Sequence, residues 1–450
     1  MWRSRSVAVG SAATLAVAGV LLVRRRLNWF KSVEWWKLSG VQAVEALQGR
    51  AVTPTEMLES AIGRLKAVDP AINAVVTRCF ERARMRAREL SQRPGGPPGP
   101  LYGLPVLVKD NQPVAGEVWT AGSACYAGRV AEISHPIVEQ IEASGGIVYG
   151  ITNMPDFGLG SHTFNTLHGP TSNPHDLSRS AGGSSGGAAA ALATGAGWLA
   201  LGNDHGGSLR QPAGFCGIVG LRPSPGRCAM AALPPSAWNG WWSIGVFSTE
   251  GPLGRSVADV ALCLDAIAPA HAELPAKNWV ADCIPDLPPP PPGGYLACVR
   301  DAAQSPPVHV AWSANLGGLL KGVHPEVAAA VQKAARLLAE HCAPEALLQQ
   351  AAPRDLGRAA HVSQVLRANR TLHTICGGPG EVAREWMEQN ESIMTRDKPE
   401  ALYELRNAQA DGWKNAVAQA EHERQEIESS FVRFFSHFEY ARTRSTRRNL

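Results

Sequence analysis

The chain has 450 residues, and 43 lysines and arginines against 39 aspartates and glutamates give it a net charge of +4. This charge is too small to indicate nucleic-acid binding. With 45% hydrophobic and 18% charged residues, the chain can bury a large core, which excludes a disordered protein. The nine cysteines form no C-x-x-C pair. A zinc ribbon and a thioredoxin-type site are therefore excluded, and a reducing compartment is the simplest environment.

An uncharged apolar run of 18 residues, 6–23, lies near the N-terminus between arginines. This length barely suffices to cross a bilayer, and three arginines follow where a cleaved signal would have its cleavage site. Trp29, Phe30, Trp35 and Trp36 come next, and such aromatics favour a membrane interface. We therefore expect 1–38 to form an uncleaved membrane anchor with the catalytic body on the cytoplasmic side. A cleaved signal and an extension packed on the main domain are the alternatives.

Residues 39–92 carry apolar side chains at helical spacing, which predicts helices. Thr53, Pro54 and Glu56 form the pattern of a helix start, in which a threonine cap precedes proline and is followed three residues later by glutamate. Asp69-Pro70 predicts the end of that helix.

Short apolar runs then alternate with helical patterns. Strands are predicted at 104–108, 147–149 and 199–201, and helices at 136–143 and 187–194. This alternation is typical of an α/β fold with a mixed or mostly parallel sheet. After Arg227 the pattern predicts further helices at 252–267, 325–341 and 381–435, a strand at 308–312 and a proline-rich loop at 285–292.

Glycine and serine concentrate in two loops, 180–188 around Ser184 and 204–210 around Ser208. Glycine lets backbone N–H groups approach a ligand closely, so such a loop can stabilise an oxyanion beside a serine nucleophile. A serine nucleophile needs a base. Lys109 is the best candidate because it ends an apolar strand, where poor solvation favours the neutral amine.

Four segments of the chain resemble the amidase signature family, which includes fatty-acid amide hydrolase and bacterial aryl acylamidases. They are 103–111, with the sequence GLPVLVKDN, 181–187, with AGGSSGG, 202–212, with GNDHGGSLRQP, and 217–223, with GIVGLRP. The resemblance implies a single amidase domain over 39–439. It also implies the amidase-signature fold, an α/β fold with a central mixed twisted sheet flanked by helices on both faces.

The resemblance also implies a Ser–Ser–Lys triad in which Ser208 is the nucleophile, Ser184 bridges it to Lys109, and no metal or organic cofactor takes part. The spacings of 75 residues from Lys109 to Ser184 and 24 from Ser184 to Ser208 fit the family. The remaining implied roles are the backbone of His205, Gly206 and Gly207 as oxyanion hole, and Ser185, Asp204 and Arg210 as residues that hold the loops.

The implied function is hydrolysis of a small-molecule amide through an acyl-enzyme. Aromatic and apolar residues near the motifs favour an apolar acyl or aryl amide; they are Met154, Phe157, Trp238, Trp241 and Trp242. The alternatives are a glutaminase-type subunit of a tRNA-dependent amidotransferase and an inactive relative. A third is an esterase, because 182–186 matches G-x-S-x-G, although that motif needs a strand directly before it. A homodimer is left open.

The chain departs from the family pattern in two places. Asn203 stands where small hydroxyl residues are common, and His205 where threonine or isoleucine is common. The tail 440–450 is polar where relatives continue with a hydrophobic strand, so we expect a truncated end that lacks a strand of the sheet.

Overall fold

The structure, a computed structural model, describes residues 34–92, 99–229, 248–268, 289–302, 310–315, 322–342, 348–350 and 419. These residues fall into two compact units, one formed by residues up to 299 and the other by residues from Arg300 onward. The apolar run 6–23, the predicted helices over 381–435 and the tail 440–450 lie outside the described residues. The prediction of one domain over 39–439 stays a prediction.

The first unit opens with helices that begin at capping boxes. Helix α1 spans Gly40–Gln48, α2 spans Pro54–Ile72, and α3 spans Phe80–Gln92 after the short strand β1, Val75–Thr77. The Thr53 hydroxyl accepts a hydrogen bond from Glu56 N, and the Glu56 carboxylate accepts one from Thr53 N. Two of the N–H groups at the helix start are thereby satisfied, and the predicted start of α2 is confirmed.

The predicted helix end at Asp69-Pro70 is wrong, because α2 continues through Pro70 to Ile72 and ends at Asn73 in the left-handed conformation. Proline keeps a helical φ, and here in the last turn it costs little more than one backbone hydrogen bond. The buried Asp69 carboxylate adds to the helix end by accepting hydrogen bonds from Ala74 N and Val75 N.

A six-stranded mixed sheet runs through the unit in the order β1-β3-β2-β6-β8-β7. Strands β3, β2 and β6 are parallel neighbours, whereas β1, β8 and β7 pair antiparallel. A separate antiparallel pair is formed by β4 and β5. The strands after β1 are β2 Pro105–Lys109, β3 Ile147–Thr152, β4 Ser172–Asn173, β5 Asp176–Ser180, β6 Leu199–Asp204, β7 Val219–Gly220 and β8 Thr249–Gly254.

Helices flank this sheet, which confirms the predicted α/β fold. Every residue of β2 and β3 is buried, as expected for strands covered on both faces. The helices form two groups whose members contact one another; α2, α3, α5 and α6 form one, and α1, α4 and α7 the other. The helices after α3 are α4 Pro136–Ala143, α5 Gly186–Ala193, α6 Arg210–Cys216, α7 Val257–Ile267 and α8 Tyr295–Arg300.

The prediction of a helix from Pro252 is wrong at its start. Pro252 and Leu253 are buried in β8 and pair with β6, and α7 begins only at Val257, after the Ser256 hydroxyl accepts a hydrogen bond from Asp259 N. The apolar spacing suited both structures, and the serine cap marks where the helix starts.

Two of the four aromatics assigned to a membrane interface pack on the body of the first unit. Trp35 is buried. The Trp36 ring lies under the Arg64 guanidinium, 3.9 Å from the ring centroid, and against Gly195, where a Cβ would meet the ring. Within the described residues, no helix combines the length and apolarity needed to cross a membrane.

The second unit is described in short pieces. Helix α9 spans Pro325–Cys342, and strands β9, Val310–Trp312, and β10, Leu348–Gln350, pair in parallel. The predicted helix over 325–341 and the strand ending at Trp312 are confirmed.

Candidate active site

Lys109, the last residue of β2, is completely buried. Its Nζ donates hydrogen bonds to Ser184 Oγ at 2.6 Å and to Asn203 Oδ1 at 2.7 Å. Both acceptors are uncharged oxygens. An ammonium group is costly in such surroundings, so this position favours the neutral amine that a base requires.

Ser184 lies in the loop between β5 and α5, and only 1% of its surface is exposed. The Thr163 hydroxyl fixes this loop, because it donates to Gly182 O and accepts from Gly186 N. Gly182 has a φ of +77° and packs on the Pro212 backbone, where a Cβ would come within 3.0 Å. The peptide bond between Gly183 and Ser184 is cis. The loop backbone thus places the Ser184 hydroxyl at the end of the Lys109 side chain.

Ser208 lies in the second loop, between β6 and α6. Ser185 N donates a hydrogen bond to Ser208 O at 3.2 Å, so the two loops are joined beside Ser184. The structure therefore brings the three predicted triad residues into one region, although they come from separate segments. The roles predicted for them stay predictions.

The Asp204 carboxylate organises the second loop. It accepts hydrogen bonds from the backbone of Gly207 at 2.8 Å and Leu209 at 3.1 Å, and from the Arg210 guanidinium at 2.9 and 3.0 Å. Burial alone would raise the pKa of Asp204, but the bonds from Arg210 and the backbone hold that pKa below its usual value. The arrangement agrees with the predicted loop-holding function of Asp204 and Arg210.

The predicted oxyanion donors are not equivalent in this arrangement. Gly207 N–H already donates to Asp204. For Gly206 and Ser208, no hydrogen bond from the backbone N–H is found to any residue that the structure describes. The Ser185 hydroxyl is likewise buried without a partner there. An oxyanion would thus be met most directly by the N–H groups of Gly206 and Ser208.

Sequence reasoning missed two polar residues that surround Lys109. The Gln112 side chain accepts a hydrogen bond from Lys109 N at 3.0 Å and donates to the buried carboxylate of Glu250. Burial raises the pKa of Glu250 to about 7, against the opposing effects of Gln112 and Lys109. No motif marks Glu250, because the sequence there was assigned to a helix.

Asn203 was noticed only as a departure from the family pattern. Its side chain is in fact a direct hydrogen-bond partner of Lys109. The residue therefore belongs to the immediate surroundings of the proposed base.

Apolar side chains lie next to Ser184. A Cβ at Gly158 would stand 3.6 Å from Ser184 Oγ and 3.3 Å from the Met154 methyl group. Phe157 is buried with a φ of +53° and packs edge-to-face on Tyr126, with a centroid distance of 5.7 Å. Met154 and Phe157 thus lie where the sequence placed an apolar pocket, whereas Trp238, Trp241 and Trp242 lie outside the described residues.

The strand before Ser184 does not fit the elbow of an α/β-hydrolase. Strand β5 is exposed and pairs only with β4, whereas the elbow motif extends from a strand of the central sheet. Across the described part of the chain, no three His, Cys, Asp or Glu side chains are grouped to hold a metal ion.

Comparison with known proteins gives a family match over most of the chain, since the family model described as Amidase matches residues 56–440. A glutamyl-tRNA(Gln) amidotransferase subunit of Carboxydothermus hydrogenoformans is 39% identical over 238 residues, which are 52% of this chain and 48% of that protein. An acylamidase of Rhodococcus erythropolis is 36% identical over 301 residues, 66% of this chain and 58% of its own length. The chain thus spans about half the length of the curated relatives it matches.

A solved structure gives the same result for the fold. The crystal structure of a bacterial aryl acylamidase of the amidase signature family superposes with a TM-score of 0.71 at 27% identity. The superposition covers 89% of this chain and 77% of the aryl acylamidase.

Proposed function

This chain belongs to the amidase family, and from that premise we propose that it hydrolyses carboxylic amide bonds with Ser208 as nucleophile. Ser184 relays the proton and Lys109 is the base. The observation that carries the proposal is the contact of 2.6 Å between the buried Lys109 Nζ and Ser184 Oγ.

The relay follows from the chemistry of these groups. A neutral Lys109 has a lone pair that accepts the Ser184 proton, and Ser184 in turn takes the proton of Ser208. The Ser208 oxygen then attacks the amide carbonyl. The proton returns through Ser184 to the leaving amine, so its C–N bond breaks and an ester to Ser208 remains, which water hydrolyses.

The loop backbone would stabilise the oxyanion that forms on attack. Gly206 N–H and Ser208 N–H are the main donors in this proposal, with His205 N–H beside them. Gly207 N–H joins only if it gives up its bond to Asp204. Each donor in comparable sites contributes roughly 3 kcal/mol to the stability of the transition state.

We propose an apolar acyl or aryl amide as substrate. Met154 and Phe157 support this choice because they provide apolar surface next to Ser184. The similarity to an acylamidase and an aryl acylamidase supports it independently.

A glutaminase-type amidotransferase subunit is the second candidate function. It is favoured by the 39% identity to a protein of the glutamyl-tRNA(Gln) amidotransferase. The two candidates differ in the product, because a glutaminase releases ammonia from glutamine.

One experiment tests the mechanism and the substrate class together. Acetanilide, a long-chain fatty amide and glutamine are assayed with wild type, Ser208→Ala and Lys109→Ala, and each protein is labelled with a fluorophosphonate probe. We expect wild type to cleave one of the apolar amides, and both variants to lose at least about 10³-fold in kcat. Ser208→Ala is expected to take up no label.

Ser178→Ala, at an exposed serine of β5, is the matched control and should retain both activity and label. Comparable turnover by Lys109→Ala would remove the proposed base. Ammonia from glutamine alone would favour the second candidate, and hydrolysis of none of the three would favour an inactive relative.

A further inference from the structure

A second ionisable group is buried in the surroundings of Lys109. Glu250, in β8, lies directly opposite Asn203 in the antiparallel pair of β6 and β8. Opposite residues of such a pair carry their side chains on the same face of the sheet, about 5 Å apart. Because the Asn203 side chain contacts Lys109 Nζ at 2.7 Å, the sheet register brings Glu250 next to the same region.

Gln112 connects the two residues by a second route. Its amide oxygen accepts from Lys109 N, and its NH₂ group donates both to the Glu250 carboxylate and to Gly202 O at 3.3 Å. This geometry fixes the Gln112 amide, which presents a donor to Glu250. Glu250 itself is 1% exposed, so water screens little of its charge from Lys109.

The other ionisable groups that face Glu250 are neutral at physiological pH. His135 Nε2 lies 4.0 Å from Glu250 Oε1, and burial lowers the pKa of His135 to about 3. His135 Nδ1 accepts from Ile137 N, so the neutral ring carries its proton on Nε2. Burial raises the pKa of the Cys228 thiol, and the charge of Glu250 raises it further. Among these groups, Lys109 is the one that can bring a positive charge.

We propose that Glu250 is a positioning residue of the reaction, a buried carboxyl whose ionisation is coupled to that of Lys109 and sets the pH above which Lys109 acts as base. The inference rests on the proposed function of Lys109. An ionised Glu250 favours the ammonium form of Lys109, whereas a protonated Glu250 does not. The fraction of neutral Lys109 at a given pH therefore depends on Glu250.

The test is the pH profile of kcat/KM for Glu250→Gln, which keeps the shape and removes the charge. Without the anion, neutral Lys109 forms at lower pH. We expect the acid limb to move down by about one pH unit and kcat/KM on that limb to rise about tenfold, with KM nearly unchanged. Asp259→Asn is the matched control, since it removes another buried carboxyl, whose Oδ1 accepts from Val41 N in the contact between α1 and α7.

A merely structural role for Glu250 would lower the melting temperature and the activity and leave the acid limb in place, and that result would overturn the proposal. Gln112→Leu provides a second variant should Glu250→Gln fold poorly. It removes a donor that favours the ionised Glu250, so its acid limb is expected to move in the same direction.

A readout that needs no turnover separates this inference from the proposed function. Infrared titration follows the carboxyl band that Glu250→Gln removes, in wild type and in Lys109→Met. Coupling is reciprocal, so we expect Glu250 to hold its proton to higher pH without Lys109. An unchanged titration overturns the coupling even where Ser208→Ala confirms the hydrolase; a shifted titration in a protein that cleaves no amide keeps the coupling and removes the hydrolase.

Discussion

At the scale of single residues, the site is defined by how buried polar groups are paired. Lys109, Ser184 and Glu250 are each at most 1% exposed. Charge on any of them is costly unless a neighbour compensates for it. Changes of charge in this region are therefore expected to have large effects on both pH dependence and stability.

The stability of the protein should depend on pH through Glu250. Burial raises the pKa of Glu250 from 4.5 to about 7, so its contribution to stability is fully present below pH 4.5 and is lost as the pH rises through 7. Relative to wild type, Glu250→Gln should gain up to roughly 3 kcal/mol in unfolding free energy between pH 4.5 and 8. Urea unfolding at several pH values measures this gain, and parallel curves for the two proteins would contradict it.

Asn203 offers the opposite change of charge. Asn203→Asp places an anion at the position that contacts Lys109 Nζ and favours the ammonium form, so we expect the acid limb of kcat/KM to move up by one to two pH units. Asn203→Ser supplies a neutral oxygen of the kind common in the family, and should lower kcat/KM without moving the limb. Equal profiles for the two variants would show that the side chain at 203 does not act through charge.

At the scale of elements, the loop between β6 and α6 depends on one carboxylate. Asp204 is completely buried and binds both the backbone and the Arg210 guanidinium. The Arg210 side chain is 56% exposed, so the ion pair by itself contributes little to stability. The bonds from Asp204 to the loop backbone should matter more.

Asp204→Ala removes these backbone bonds together with the ion pair. We expect a loss of about 2–4 kcal/mol in unfolding free energy and a loss of at least tenfold in kcat/KM, because the loop carries Ser208. Arg210→Ala should cost about 1 kcal/mol or less. Arg179→Ala, which breaks the exposed pair with Asp176, is the control and should change neither quantity. Equal losses for Asp204→Ala and Arg179→Ala would show that the loop holds its shape without this carboxylate.

At the scale of the whole molecule, the open proposal is membrane association through residues 1–38. We expect the full chain to float with liposomes, because the run 6–23 is apolar and is followed by arginines. Leu21→Arg with Leu22→Arg should abolish flotation, since arginine in hydrocarbon costs about 3 kcal/mol per residue. Ser4→Arg with Asn28→Arg adds the same charge outside the run and should leave flotation intact. Equal flotation of the two double variants would contradict an anchor at 6–23.

The sequence by itself determined the family, the α/β fold and the position of Lys109 at the end of a buried strand. These features are local, because glycine loops, capping boxes and apolar runs act over a few neighbouring residues. It failed at Asp69-Pro70 and at Pro252, where the same local signals suit two structures and tertiary packing decides between them. Only the tertiary structure showed Asn203, Gln112 and Glu250 around Lys109. Their meeting depends on the register of β6 against β8 and on hydrogen bonds between residues up to 138 positions apart, which no periodicity along the chain encodes.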